Sequence, residues 1–354
     1  MSAGRTGFST GTCAAAAAKA AAQIAEGADV KAGDLIEVNL PDGTRVALAL
    51  AWARALAEGG EAAVVKDAGD DPDITHGATI VVRVLPEVGW HFEAGEGVGT
   101  VVRPGLQIAV GEPAINPVPR AMIRAALEEC GWRGARIRVS IPGGVELAER
   151  TFNPRLGVQG GLSVLGTAGT VRPFSLEAIR ATVSLALDVA RAAGFDEVCL
   201  VPGHLGERAA RAAFGLGVEQ VVEVSNEWGH ALDEAGAKGF LKLKLVGHPG
   251  KLAKLAAGHF DTHSSRSPSA LGPVEAALAE LKLDAHITEA TTVEGIFQAL
   301  SREDSARFAE GLAAQVAQAA SRRSGLPCSV HLSSMSAGIY GGFDSDCPEG
   351  ESWS

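Results

Sequence analysis

The chain has 354 residues, of which 46% are hydrophobic and 21% charged, and its formal net charge is −11. This composition is typical of a folded protein, and the negative charge disfavours nucleic acid and anionic membrane surfaces as partners. The sequence has no apolar run of membrane-spanning length, so we expect no membrane association and a cytoplasmic location. A chain of this length favours two domains, and the composition leaves a homo-oligomer open.

The cysteines are scattered, odd in number and without a C-x-x-C pair, which predicts reduced thiols and no disulfide or zinc site. The acidic segment 66–77, KDAGDDPDITHG, lacks the spacing of an EF-hand loop, so we predict a solvated loop there. We therefore expect no protein-bound metal. The five cysteines are Cys13, Cys130, Cys199, Cys328 and Cys347.

Residues 6–22 read TGFSTGTCAAAAAKAAA and predict an early helix. Alanine is the best helix former, and its small side chain lets a neighbour approach closely. We expect Thr10 and Thr12 to cap the first turn, with Gly11 giving a ligand access to the backbone. Free N–H groups at this end favour an anion, and a plain capped helix packed on a sheet is the alternative.

Residues 1–165 predict an α+β domain, because strands come in runs and helices are set apart. Two apolar runs joined by Pro41-Asp42-Gly43 predict a β-hairpin. Further strands are expected near 62–66, 78–85 and 136–141, and a helix near 119–131.

Residues 166–343 predict an α/β domain with a parallel sheet, because three buried strands alternate with helices. The strands are DEVCLVPG, EQVVEVSN and FLKLKLVGH. Later helices are expected at 272–282 and 291–321, before a last strand near 328–332. The acidic tail 344–354 is expected to be flexible.

Ligands of parallel sheets bind beyond the carboxyl ends of the strands. Four such ends combine small residues with a polar side chain, in the segments PGHLG, SNEWG, GHPGK and SSMSAG. The sequence therefore predicts a binding cleft containing His204, Asn226, His248 and Ser333.

Residues 242–266 are locally basic in an acidic protein, with four lysines and an arginine against Asp261. Lys251 falls in the first turn of a predicted helix, where a cation opposes the helix dipole and indicates an anionic ligand nearby. Lys254 is interpreted as part of a solvated helix face.

The segment GHFDTHSSRS is the densest polar cluster of the chain. We expect Asp261 and His263 to form a carboxylate–imidazole pair, with Ser264 and Arg266 as hydrogen-bond donors. Such a pair serves as a general base or, alternatively, as a hydrogen-bonded loop clamp. In the first domain, the proline-stiffened loop 111–120 directs Glu112 and Asn116 toward a ligand.

Several long segments resemble, in order, one family over residues 5–340: the cobalt-precorrin-5B C(1)-methyltransferases of anaerobic cobalamin biosynthesis. Pro249 departs from the resemblance, since an aliphatic residue is expected there. The matching segments are TGFSTGTCAAAAAKAA, KDAGDDPDITHG, VGEPAINPVPRAMI, IPGGVELAERTFNPRLGVQGGLSVLGTAGTV, LVPG and LVGHPGKLAKLAAGHFDTHSS.

The resemblance implies methyl transfer from S-adenosyl-methionine to ring carbon C1 of a cobalt-containing tetrapyrrole, giving cobalt-precorrin-6A. It also implies an α+β domain joined to a Rossmann-like one. Cobalt would arrive inside an anionic substrate. With this family in view, Asp261 and His263 become candidates for proton transfer. The helix start 10–12 and the loop residues Gly166, Thr167, Gly169 and Thr170 become candidates for backbone contact with a ligand.

Two other classes of function stay open. A non-catalytic tetrapyrrole carrier would bind the corrinoid without affinity for the methyl donor. A nucleotide-dependent oxidoreductase would use the same cleft, but the sequence shows no G-x-G-x-x-G after a strand with an acid beyond the next strand.

Overall fold

The computed structural model describes residues 4–172, 175–283 and 292–345, in a mixed α/β chain. The chain divides into two compact units, Met1–Ser175 and Leu176–Ser354. The loop that follows residue 165 belongs to the first unit, because Thr170 pairs with Phe8 in a two-stranded ladder. Among the described residues, none of the helices combines the length and the apolarity needed to cross a bilayer.

A six-stranded sheet forms the centre of the first unit, in the order β2-β3-β4-β5-β8-β6. Only the β6–β8 pair is parallel, and the predicted hairpin is confirmed as β2–β3. The sheet strands are β2 (Leu35–Asn39), β3 (Arg45–Leu56), β4 (Gly59–Val65), β5 (Thr79–Pro86), β6 (Trp90–Ala94) and β8 (Ala135–Ser140). The other elements are β1 (Gly7–Phe8), α1 (Thr10–Ala25), β7 (Thr100–Val101), α2 (Pro117–Glu129), α3 (Gly144–Ala148), β9 (Val158–Gln159) and β10 (Thr170–Val171).

The alanine run forms α1, which packs against the sheet and against α2. Its alanines from 14 to 22 are fully buried, and only Lys19 reaches the edge, where it pairs with Glu129 at 2.5 Å. Small side chains are needed because β4 passes so close that a β-carbon on Gly60 would lie 2.0 Å from the carbonyl oxygen of Ala21. The alanines therefore make α1 the central helix of this unit.

A five-stranded sheet forms the centre of the second unit, in the order β12-β11-β13-β14-β15. The first four strands are parallel and β15 is antiparallel. The strands are β11 (Glu197–Val201), β12 (Val221–Glu223), β13 (Lys242–Gly247), β14 (Cys328–Ser333) and β15 (Ile339–Phe343). The helices are α4 (Leu176–Ala192), α5 (His204–Phe214), α6 (Trp228–Ala237), α7 (Pro249–Ala256), α8 (Leu271–Glu280), α9 (Val293–Ala299) and α10 (Arg302–Ser324).

The sequence prediction is wrong in one part of this unit. The single helix expected at 291–321 is two helices, α9 and α10, because Ser301 adopts extended backbone and caps α10 by accepting a hydrogen bond from the Asp304 amide. Of the predicted flexible tail, the Ser345 amide donates to Ser329, whereas residues 346–354, including Cys347, lie outside the described residues.

His331 in β14 makes the stability of the second unit depend on pH. Burial lowers its pKa to about 4, and the carboxylate of Asp344 at 3.4 Å opposes this shift only in part. The folded chain therefore holds His331 neutral, whereas the unfolded chain takes up a proton near pH 6.5. The contribution of neutral His331 to the free energy of unfolding is fully present above about pH 6.5, and it is lost as the pH falls from there toward about 4.

We expect His331 to remove about 2 kcal/mol of unfolding free energy between about pH 7.5 and about pH 5. Urea unfolding at both pH values measures this loss. His331→Gln should flatten the dependence, and His91→Gln, on an exposed histidine of β6, should not. Equal pH slopes for the wild-type chain and His331→Gln would contradict the assignment.

Candidate functional site at the carboxyl edge of the parallel sheet

The predicted strand ends lie at one edge of the sheet of the second unit. His204 follows β11, Asn226 follows β12, His248 follows β13, and Ser333 is the buried last residue of β14. Strand β12 pairs with one edge of β11 and β13 pairs with its other edge, so the order of the strands reverses at β11. Such a reversal opens a crevice at which ligands of parallel sheets bind.

A cavity of about 570 Å³ lies beside the ends of β13 and β14. Its walls bring together two predicted site residues, His248 and Ser264, with Lys254, Glu294 and Met335. This volume is within the range of small-molecule sites.

His248 is held by a network that the sequence did not predict. Its Nδ1 accepts a hydrogen bond from the Gly250 amide at 3.0 Å, so Nε2 carries the proton and donates it to Glu294 at 2.7 Å. Tyr340 donates its hydroxyl to the other oxygen of Glu294 at 2.7 Å. Burial opposes ionisation, but the hydrogen bonds from Tyr340 and His248 lower the pKa of Glu294. The unexpected Pro249 is the first residue of α7, a position that suits proline.

Lys254 does not lie on a solvated face, and that interpretation is wrong. The residue is only 7% exposed, and its ammonium donates to the Thr262 carbonyl at 3.2 Å and to Ser267 Oγ at 2.9 Å. Lys251 is half-buried, and burial together with the charge of Lys254 lowers its pKa. Neither ammonium has an ion pair with a carboxylate in the described ranges.

The expected carboxylate–imidazole pair is not formed. Asp261 accepts a hydrogen bond from the backbone amide of His263 at 3.0 Å, and its carboxylate pairs with Arg266. This pairing lowers the pKa of Asp261 and makes it a poor base. The His263 ring turns instead to Ser265, whose hydroxyl lies 2.8 Å from Nδ1 and whose amide also donates to that nitrogen.

The remaining residues of this edge have other partners. Asn226 accepts a hydrogen bond from the Thr262 hydroxyl at 3.1 Å, which joins the loops after β12 and α7. His204 is exposed, and its ring lies near the carboxylates of the buried Glu207 and of Glu223, with ligand atoms within 4.8 Å of one another. These groups have the chemistry to hold a cation, and the absence of a protein-bound metal stays a prediction.

In the first unit, the structure brings together two sets of predicted ligand contacts, the start of α1 and the loop 165–170. Ser9, and not Thr10 or Thr12, caps the helix, so the capping prediction is wrong. Thr10 Oγ1 donates to the Leu165 carbonyl at 3.1 Å, and Thr12 Oγ1 donates to the Gly169 carbonyl at 2.5 Å.

The backbone groups expected to face an anion are occupied by protein. The Gly11 amide donates to Leu165 at 2.8 Å, and the Thr12 amide donates to Ser9. A β-carbon on Gly166 would lie 2.2 Å from Ser9 Oγ, so this glycine serves packing of the loop on the helix. Only Thr167 is exposed among the four loop candidates 166, 167, 169 and 170. Ligand contact by these residues stays a prediction.

Two further predictions for the first unit concern the loop 111–120 and the acidic segment 66–77, whose side chains contact other residues of the protein. Glu112 pairs with Arg120 at 3.3 Å, and Asn116 precedes α2 without a side-chain capping bond. The acidic segment 66–77 is not simply solvated, because Asp73 pairs at 2.5 Å with Lys66, which is 1% exposed. Asp73 therefore has a cationic side chain of the protein as its partner.

Comparisons with known proteins identify the family. The CbiD family profile matches residues 1–173. Proteins named cobalt-precorrin-5B C(1)-methyltransferase are 52% identical in Syntrophotalea carbinolica, over 90% of both chains, and 44% identical in Moorella thermoacetica, over 89% of this chain and 88% of that one. In Pseudomonas putida such a protein is 41% identical over 96% of this chain and 94% of its own.

One solved structure is also similar, the crystal structure of a cobalamin biosynthesis protein (cbiD) from Archaeoglobus fulgidus. It is 27% identical and covers 74% of this chain and 83% of its own, with a TM-score of 0.40. The identities to the sequence relatives, over most of both chains, decide the assignment. The chain belongs to the cobalt-precorrin-5B C(1)-methyltransferase family.

Proposed function

We propose that this chain methylates ring carbon C1 of cobalt-precorrin-5B, using S-adenosyl-methionine, to give cobalt-precorrin-6A in cobalamin biosynthesis. The observation that carries the proposal is 52% identity, over 90% of both chains, to a protein named for this reaction. We further propose a cytoplasmic enzyme whose second unit is a Rossmann-like domain, supported by the parallel order β12-β11-β13-β14.

The chemistry of the sheet edge is compatible with this substrate. A tetrapyrrole with acetate and propionate side chains is strongly anionic. Lys251 and Lys254 place two positive charges beside the end of β13, and neither has a carboxylate partner among residues 4–172, 175–283 and 292–345. Cobalt belongs to the substrate in this reaction, so the protein's own residues need only recognise the macrocycle.

In the proposed reaction, the macrocycle carbon donates an electron pair to the methyl group as the sulfur–carbon bond of the donor breaks, and S-adenosylhomocysteine leaves. The protein holds the two reactants in line and excludes water. His263 is the proposed group for proton transfer as the π-system rearranges, because its Nδ1 is fixed by Ser265 and its Nε2 has no partner among the described residues.

Glu223 is the proposed contact for the ribose of the donor. Glu223 is the last residue of β12 and lies beside the loop after β11. In open parallel sheets, an acid at this position binds a ribose hydroxyl. The glycine motif of dinucleotide enzymes is still missing, which favours a single nucleoside over a dinucleotide.

We expect Glu223→Gln to weaken binding of S-adenosylhomocysteine about tenfold to a hundredfold, the effect of losing a hydrogen bond to a charged group. Titration calorimetry measures this change. Glu219→Gln is the matched control, because Glu219 precedes β12 and lies at its opposite end. An unchanged dissociation constant for Glu223→Gln would place the ribose elsewhere.

The function itself is tested by anaerobic incubation with S-adenosyl-methionine and cobalt-precorrin-5B, followed by mass spectrometry of the corrinoid. The proposed enzyme adds one methyl group. A carrier would bind the corrinoid without this gain and without affinity for the donor, and an oxidoreductase would require a nicotinamide or flavin nucleotide instead.

A further inference from the structure

Lys254 carries a buried positive charge into the cavity at the end of β13. Its side chain is 7% exposed and lines the cavity together with Ser267, which accepts one of its hydrogen bonds at 2.9 Å. The second acceptor is the Thr262 carbonyl, and both acceptors are neutral. An ammonium group has three N–H donors, so one donor of Lys254 has no acceptor within the described ranges.

This charge is costly for the chain to bury. An ammonium without a carboxylate partner loses hydration that two neutral hydrogen bonds replace only in part. Lys251 lies one helical turn away on α7, and burial together with the like charge of Lys254 lowers the pKa of Lys251. Lys254 gives this wall of the cavity a positive charge, and Lys251, which does not line the cavity, adds a second positive charge one turn away on α7.

The acid of the cavity does not neutralise this charge. Both oxygens of Glu294 are engaged, one by His248 and the other by Tyr340, each at 2.7 Å. Two serine hydroxyls, those of Ser264 and Ser269, lie in the cavity wall with Lys254 and provide further donors, whereas Ser267 donates its own proton to the His263 carbonyl at 2.9 Å. An anionic ligand group is the partner that this set of donors lacks.

We propose that Lys254, assisted by Lys251, binds a carboxylate group of a ligand in this cavity. The identity of the ligand rests on the proposed function, which supplies two sources of that group. One is the methionine carboxylate of the methyl donor, and the other is an acetate or propionate side chain of the tetrapyrrole. The planar carboxylate accepts hydrogen bonds from the free N–H of Lys254 and from the hydroxyls of Ser264 and Ser269.

The test compares Lys254→Met, which keeps the length of the side chain and removes its charge, with Lys254→Arg, which keeps the charge. Lys31→Met, on an exposed lysine of the first unit, is the control. Calorimetry with S-adenosylhomocysteine and with its decarboxylated analogue probes the donor. Anaerobic binding of cobalt-precorrin-5B, followed by its absorption spectrum, probes the tetrapyrrole. Thermal melting of each variant verifies that it is folded.

If the donor carboxylate binds here, Lys254→Met weakens S-adenosylhomocysteine binding by about tenfold to a hundredfold and leaves the decarboxylated analogue unaffected. If a tetrapyrrole carboxylate binds here, the same variant weakens cobalt-precorrin-5B by a similar factor and leaves both donor analogues unaffected. In either case Lys254→Arg retains most of the affinity.

A folded Lys254→Met that binds all three probes like the wild-type chain overturns the proposal. Failure of the proposed function would look different, because the wild-type chain would then add no methyl group to the corrinoid. If Lys254→Met fails to fold, Lys251→Met replaces it in the test. We then expect a smaller loss of affinity for the same probe. Unchanged binding of all three probes to Lys251→Met would again overturn the proposal.

Discussion

His263→Ala is expected to lower kcat for methyl transfer about a hundredfold, the contribution of a positioned general acid or base. The Ser265 amide donates to Nδ1, so the neutral ring carries its proton on Nε2. The ring takes up a second proton at Nδ1 when it gives up this amide contact and donates to the Ser265 hydroxyl oxygen, and it then releases a proton from Nε2. Donor affinity should not change, because the substitution removes proton transfer and not a donor contact. Single-turnover kinetics and calorimetry with S-adenosylhomocysteine separate the two effects.

Asp261→Asn is the matched comparison. Because Asp261 pairs with Arg266 and contacts only the backbone amide of His263, we expect a loss of turnover well below that of His263→Ala. The Arg266 guanidinium also lies 3.4 Å from the Glu227 carboxylate, so Arg266 keeps one ion pair that holds the loop in the Asp261→Asn variant. Unchanged turnover in His263→Ala would remove histidine from the mechanism, and equal losses in both variants would indicate that the loop acts as a clamp.

Gly60→Ala is expected to destabilise the first unit by about 3 kcal/mol, at the upper end of overpacking effects. The added β-carbon would lie 2.0 Å from the Ala21 carbonyl oxygen and 3.0 Å from a methyl carbon of Ile24. The clash is with backbone, so no rotamer change relieves it, and β4 must move away from α1. Denaturant unfolding measures the change as a lower midpoint.

Gly272→Ala is the control for this substitution. Gly272 lies in α8, and a β-carbon there meets no atom within 4 Å. The alanine should stabilise the helix by up to about 1 kcal/mol, because alanine loses less backbone entropy than glycine in a helix. If Gly60→Ala unfolds at the wild-type midpoint, α1 and β4 do not pack as closely as described.

The regular elements could be predicted because their signals are local. The alanine run predicted α1, the apolar runs around Pro41-Asp42-Gly43 predicted the β2–β3 hairpin, and strand–helix alternation predicted the parallel sheet. The cap of α1 was wrong because the hydroxyls of Thr10 and Thr12 are bonded to a loop more than 150 residues away, with sequence separations of 155 and 157. No local pattern reports such a partner.

The candidate site was predictable only in part for the same reason. Strand ends identified His248, but its partner Glu294 is 46 residues away, and Glu294 is in turn 46 residues from Tyr340. In the sequence, nothing distinguishes Lys254 from an exposed lysine on a short helix. In the structure, the loop that contains Ser267 covers it. Burial of a charged residue depends on such packing, which spacing along one chain does not encode.

A donor labelled with ¹³C in its methyl group tests directly whether the chain places a methyl group on one ring carbon. The chain is incubated anaerobically with this donor and cobalt-precorrin-5B, and the corrinoid is examined by mass spectrometry and NMR. We expect one labelled methyl group per macrocycle, bonded to C1. Label at another ring position, or a corrinoid without label in the presence of folded protein, would contradict it.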